Sequence, residues 1–266
     1  MLYFELIGIP GAGKSTLMKS LMSSNFKLRG TRCLSSDEAL IIALKSRKDQ
    51  LLFQWALSLI PLRIAKKHTN GILNLYKHQN DLLGSFLAKH RKIIDILSNY
   101  MQCNRIPNDE KSLVISRFFF FLGYYQAVDE KFDSNTPVFF DSAFLQRSMS
   151  IFISPQTAVG KLYYRDIETY LNAVPLPAVA VFVDSDIDIC HRRLLARPRG
   201  MTKRMSGLDD SGTRLFLTAC RELFQMIIEI LEKKGIRVIR IQNSDALTTA
   251  LDHLSKSFSD FSALHR

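Results

Sequence analysis

The sequence is poor in cysteine, in long apolar runs and in acid relative to base. Its four cysteines, Cys33, Cys103, Cys190 and Cys220, lie far apart, with none of the spacings that hold zinc or build a disulfide framework. This predicts a chain at home in a reducing cytoplasm. A helix needs about 20 consecutive apolar residues to span a bilayer. The candidate stretches here, Leu51–Leu62 with 12 uncharged residues and Phe118–Val128 with 11, fall short. The opening MLYFELIGIP contains an acid, Glu5, and no basic lead, so it does not read as a secretory signal. The six histidines form no set with catalytic or metal-ligand spacing, and no internal repeat or low-complexity tract occurs.

What is present is an ordinary globular composition. Of 266 residues, 47% are hydrophobic and 23% charged, and the mean hydropathy is +0.01. That size fits one large domain, or a core carrying an insertion. Lys and Arg number 36 against 25 Asp and Glu, a net +11. Such a surplus suits an anionic partner, whether nucleotide, nucleic acid or membrane surface, and does not choose among them. The Leu51 stretch carries Trp55 and is flanked by Lys45, Arg47, Lys48, Arg63, Lys66 and Lys67. A segment of that make-up can rest peripherally on an anionic membrane, although a core helix with solvated ends is the plainer expectation.

Residues Leu2–Ile9 are nearly all apolar, as a central parallel strand buried on both faces requires, and Lys14–Ser23 reads as a helix. Thr31–Ser35 is a short second strand, followed by a helix cap at Ser36-Asp37-Glu38. From Ala39 to Lys131 no strand is apparent. Apolar residues recur there at three- and four-residue steps, which predicts three or four helices broken near Pro61, Thr69-Asn70-Gly71 and Pro107-Asn108. Thr136–Asp141, Pro177–Asp184 and Arg237–Gln242 read as strands. Helices are expected at 144–153, 160–173, Ile187–Ala196, Asp209–Lys234 and the C-terminus. Alternating strands and helices predict an α/β fold with a mostly parallel sheet, a single domain over 1–266 with a helical insertion or lid at 39–131.

The strongest motif is Gly8-Ile-Pro-Gly-Ala-Gly-Lys-Ser-Thr16, which satisfies G-x-x-x-x-G-K-[ST] between a buried strand and a helix. Gly8, Pro10, Gly11, Ala12 and Gly13 curl the backbone so that successive N–H groups face one concavity, and the following helix adds its positive end. Lys14 reaches the β- and γ-phosphates, Ser15 takes one Mg²⁺ position and Thr16 contacts the α-phosphate. ATP and Mg²⁺ are the ligands this predicts. An Asn-Lys-x-Asp guanine signature and a Leu-Ser-Gly-Gly-Gln transporter signature are both missing.

Two further segments belong with this loop. Pro137-Val-Phe-Phe-Asp141 is a strand ending in a carboxylate that can hold Mg²⁺ or accept a proton from an attacking hydroxyl; the alternative for Asp141 is a helix cap. Residues 190–204 contain six Lys or Arg and no acid. Arginines that close over a transferring phosphoryl group stabilise its charge, which makes Arg193 and Arg197 catalytic candidates and 190–208 a candidate lid. A solvated basic helix end is the other reading.

With these residues in hand, the sequence resembles the nucleoside-monophosphate-kinase-like branch of P-loop small-molecule kinases, which includes adenylate, thymidylate and gluconate kinases. The resemblance covers roughly 1–36 and 134–258. It implies a P-loop NTPase fold, a three-layer α/β/α domain whose five parallel strands run in the order 2-3-1-4-5. It also implies that Arg193, Arg197 and Arg199 are lid arginines and that the stretch from Gln242 to Asp245, Asn243 included, borders adenine. The departures concern the acceptor. Adenylate kinases place an arginine four residues after the Asp141 position, whereas Arg147 lies six on, and the 39–131 block is long for the group.

The expected activity is ATP-dependent phosphotransfer to a small-molecule hydroxyl or phosphate. Asp37, Arg117 and Arg147 are the candidate acceptor residues, with Tyr124 and Tyr125 as a possible wall. The Phe118–Phe121 run is expected to serve packing, and Glu5 to form a salt bridge at the sheet's edge or bottom. Two other readings stay open, a polynucleotide 5′-kinase and a non-catalytic nucleotide-dependent regulator.

Overall fold

The computed structural model describes the chain except residues 25, 48–56, 58, 76–78, 104–105, 155–162, 198–200, 202–203, 244–246 and 265–266. The Trp55 segment, Arg199, Lys203, Ser244 and Asp245 therefore lie outside the described residues.

Strand β1 (Leu2–Ile7) leads through the glycine loop into α1 (Lys14–Ser23). A small hairpin, β2 (Lys27–Leu28) and β3 (Thr31–Arg32), precedes β4 (Leu34–Ser35) and α2 (Ser36–Lys45). The expected strand at Thr31–Ser35 is thus divided. Its first half pairs antiparallel with β2, and only Leu34 and Ser35 enter the main sheet. The helical block supplies α3 (Leu62–Ala65), α4 (Thr69–Leu75), α5 (Gln79–Lys89), α6 (Lys92–Gln102) and α7 (Asn108–Lys131). This is more helices than expected, and Thr69-Asn70-Gly71 opens α4 where a break was predicted. Pro107 stands at the N-terminus of α7, where its missing N–H costs nothing.

The remainder alternates as expected: β5 (Pro137–Phe140), α8 (Phe144–Phe152), α9 (Tyr164–Leu171), β6 (Val179–Asp184), α10 (Ile187–Leu195), α11 (Asp210–Lys233), β7 (Arg237–Gln242) and α12 (Leu247–Leu264). The main sheet is parallel throughout, in the order β4-β5-β1-β6-β7. Counting only its five strands along the chain, the order is 2-3-1-4-5, the topology of the P-loop NTPase α/β/α fold.

Side chains alternate across β1, and the two sheet faces bury different partners. Phe4 stacks on Phe139 at 4.6 Å and meets Phe258 of α12 edge-on at 5.4 Å. On the other face, Tyr3 meets Phe140 at 5.2 Å and Tyr125 of α7 at 5.6 Å. The register pairs Glu5 with Phe140, so β5 ends, and Asp141 emerges, beside the start of the glycine loop. Among the described residues no helix is long and apolar enough to cross a membrane.

Candidate functional site

The glycine loop is fixed from behind by two neighbours that leave no room for side chains. Gly11 has φ +90°, and a Cβ there would sit 2.5 Å from the Cys190 carbonyl oxygen of α10. Gly13 has φ +94°, and its Cβ would fall 2.3 Å from Asn243 Nδ2. Only glycine accepts both the left-handed backbone and the close approach. Asn243 Nδ2 donates to the Ala12 carbonyl at 2.6 Å, and its backbone N–H donates to Asp184 O at 2.8 Å. Gly8 N–H donates to Gln146 Oε1 at 3.0 Å, tying the loop to α8.

Lys14 Nζ donates to the carbonyls of Gly8, at 2.6 Å, and Ile9, at 3.2 Å. Burial pushes its ammonium down to about 8, with Asp141 pulling the other way. Ser15 Oγ lies 3.5 Å from Asp141 Oδ2. A cavity of about 270 Å³ opens over this loop, lined by Lys14, Ser15, Thr16, Asp141, Gln146 and Arg197 among others. The loop fits a polyphosphate: glycines hold its left-handed turns, a cation stands at its mouth, and Ser15 and Asp141 present two oxygens of the kind Mg²⁺ takes. Among the described residues no cluster of three or more His, Cys, Asp or Glu is placed to hold a metal.

A larger cavity, about 640 Å³, lies beyond Asp141. Asp37, Arg117, Phe121, Tyr124, Ser142 and Arg147 line it, together with Asp141 itself. Ser35, not Ser36, caps α2, its hydroxyl accepting from Glu38 N–H at 3.3 Å, which leaves Asp37 free to face the cavity. Tyr124 O–H donates to Asp37 Oδ1 at 3.0 Å. Thr69 Oγ1 lies 3.2 Å from that oxygen and 3.0 Å from Lys66 O, so its single proton serves one at a time. Desolvation raises the Asp37 carboxyl above its ordinary value, and the charge of Asp141 adds to this. Glu38 turns away, bound by Arg32 and Lys66 at 2.8 Å each. Arg147 lays its guanidinium over the Phe121 ring, 4.2 Å from the centroid.

Below the Asp141–Arg147 turn sits Glu5. Its oxygens accept from the N–H groups of Ala143 (2.8 Å), Leu145 (3.1 Å) and Gln146 (2.8 Å), and from the Tyr3 hydroxyl. The expectation of a salt bridge for Glu5 is corrected: a strand carboxylate takes the orphan amides of a helix from another part of the chain. Helix ends need such acceptors. The same bonds correct the capping alternative for Asp141, since no side chain of the turn itself caps α8. Burial pushes Glu5 up to about 7, against the pull of its four donors.

Lys14, Ser15, Thr16, Asp141 and Arg197 come together at one cavity, and Asp37, Arg117 and Arg147 at the adjoining one. Arg193 is placed differently from the lid expectation. Its NH1 lies 3.4 Å from Ser185 Oγ and 3.3 Å from the Asn243 carbonyl, clamping α10 to the strand end behind the loop. Arg204 is likewise engaged elsewhere, half-buried against Glu110 at 2.8 Å. Tyr125 faces the aromatic core rather than the cavity. Phe121 serves both packing and the cavity wall, and the phenylalanine run is more than filler. Ser142 and Gln146 were not singled out in the sequence, although both follow Asp141 on the turn that a strand-end carboxylate marks. Ser142 lines both cavities.

No protein-family model and no curated protein matches the chain. Among solved structures the chain is similar to the deoxyadenosine kinase from M. mycoides with bound dATP, with a TM-score of 0.42 and 10% identity, over 97% of this chain and 100% of that one. No residue here takes a role from that likeness.

Proposed function

We propose that the protein is an ATP- and Mg²⁺-dependent phosphotransferase that moves the γ-phosphate to a small molecule seated in the 640 Å³ cavity. The observation that carries this is the continuity of the two cavities: Asp141 and Ser142 line both, so a donor phosphate over Lys14 and an acceptor beside Asp37 would face each other across one carboxylate. The larger space lies in the range that small-molecule sites occupy.

In this reading the loop amides and Lys14 bind the triphosphate. Ser15 and Asp141 would hold Mg²⁺, whose positive charge would offset that of the phosphate oxygens. The acceptor oxygen attacks the γ-phosphorus as the bond to the ADP oxygen breaks, and the hydroxyl proton passes to a carboxylate of the cavity, Asp141 or Asp37. Arg197, at the donor cavity's edge, stabilises charge on the transferring group. Asn243 holds the loop in shape on the side where adenine would lie.

The test is ATP consumption with a panel of sugars, nucleosides, their phosphates and an oligonucleotide. An acceptor should stimulate turnover, and Asp141→Asn should lower it by about two orders of magnitude or more while nucleotide binding persists. Turnover that no panel member stimulates would favour a nucleotide-dependent regulator. Stimulation by the oligonucleotide alone would favour a polynucleotide 5′-kinase.

A further inference from the structure

We propose that Gln146 is a catalytic residue, its Nε2 donating to the γ-phosphate oxygens of bound ATP and holding them as the phosphoryl group crosses toward the larger cavity. The inference rests on the phosphotransfer reading and adds a residue to it.

Gln146 lies in the first turn of α8, where Glu5 Oε1 accepts from its backbone N–H at 2.8 Å. Its side chain is held as well. Gly8 N–H can donate only to an oxygen, so the 3.0 Å bond to Oε1 sets which way the amide lies. The residue is only 7% exposed, yet it lines the 270 Å³ donor cavity and also a smaller one, about 150 Å³, between α7 and α8. With Oε1 committed to the loop, Nε2 is the end left for these spaces. It has no partner among the described residues and is not sealed from solvent.

Lys14 grips the other side of the same glycine, its Nζ meeting the Gly8 carbonyl at 2.6 Å. Gln146 and Lys14 thus flank one residue beside the donor cavity, and a phosphate that draws Lys14 off the loop comes within reach of the amide. The acceptor side of that cavity is otherwise shared by Asp141 and Ser142, a carboxylate and a hydroxyl. Transfer spreads negative charge over the three equatorial oxygens of the moving group. An oxygen turned toward Asp141 needs a donor there, and an amide supplies one without adding a charge of its own. Held at its backbone and at Oε1, the side chain need not reorganise when the phosphoryl group moves. Gln146 gains and loses no proton; the bonds that form and break are those of the transfer itself.

The experiment measures, by calorimetry on the intact protein with Mg²⁺, the affinities for ADP and for a non-hydrolysable ATP analogue, and takes their ratio. Gln146→Glu keeps an oxygen for Gly8 N–H and puts an acceptor where the free N–H groups were; Gln146→Met removes both. In each variant the analogue should lose at least about tenfold relative to ADP. Retained ADP binding shows that the variant is folded, and should Gln146→Met fail to fold, Gln146→Glu carries the test. A ratio equal to wild type, even with both affinities lowered, makes Gln146 a support for the loop and overturns the assignment. With an acceptor that stimulates ATP consumption, kcat of Gln146→Glu should fall about 100-fold, and an unchanged kcat overturns the catalytic role. Acceptor-stimulated turnover with an unchanged ratio sinks Gln146 and leaves the kinase. A lowered ratio with no turnover on any acceptor supports the γ-phosphate contact and sinks the kinase.

Discussion

Lys14 occupies the loop's own carbonyls, Gly8 and Ile9, in the place a phosphate would draw it from. Its ammonium, pushed down to about 8 by burial, is fully charged only below that pH. A triphosphate favours the charged form, so above about pH 8 binding must take up a proton. Affinity for an ATP analogue is therefore expected to be level near neutrality and to weaken by up to about tenfold per pH unit beyond pH 8. Calorimetry in buffers of different ionisation enthalpy counts the proton directly. A dissociation constant unchanged up to about pH 9.5 would contradict it. Gly11 and Gly13 show why this part of the site was legible in the sequence: the residues that build it sit next to one another, and their spacing is the geometry.

At the scale of elements, α8 is organised by a strand residue 138 positions before its first amide partner. Glu5 replaces the missing cap of the helix that carries Gln146 and Arg147. Its folded-state value, raised from 4.5 to about 7, means the native state binds the proton more tightly than the unfolded chain does. Its contribution to stability is then complete below about pH 4.5 and is lost as pH rises through about 7, a span on the order of 3 kcal/mol. Glu5→Gln cannot titrate and leaves one amide donor poorly matched, so it should be less stable than wild type, with the gap narrowing from pH 5 to pH 8. Urea denaturation at both values measures this, and a constant or widening gap would sink it. No local pattern in the sequence announces such a contact, because an acid in an apolar strand looks alike whether it meets water, a cation or a distant helix end. The cavity wall was hidden for a related reason. Phe118 to Phe121 cover every side of α7, so periodicity shows no face, and only the packed structure separates Phe121 over Arg147 from Phe118 in the core. Strands β5, β6 and β7 were legible because each is a contiguous apolar or alternating run, whereas β4, two residues long, carries too little pattern to be told from the hairpin before it.

At the scale of the whole molecule, the helical block and the arginine-rich turn are fastened to each other away from the phosphate loop. Arg204 donates to Glu110 Oε1 through NH2 at 2.8 Å and Nε at 3.3 Å, to Ser150 Oγ at 3.3 Å and to the Ile153 carbonyl at 2.5 Å. Ser154 Oγ completes Glu110 at 3.1 Å. The clasp thus joins α7, the end of α8 and the turn that follows Arg197, and both charged partners are nearly enclosed, with side-chain exposures of 11% and 12%. Removing one partner of such a pair strands the other charge. Glu110→Leu is expected to cost about 3–5 kcal/mol, and Arg204→Met a comparable amount, whereas the double variant Glu110→Leu/Arg204→Met should lose less than either alone, because an apolar pair leaves no uncompensated charge. Denaturant midpoints of the four proteins close the cycle. If the double variant loses the sum of the two single losses, the residues act separately, and the block and the turn would then respond to ligands as independent elements rather than as one clasped unit.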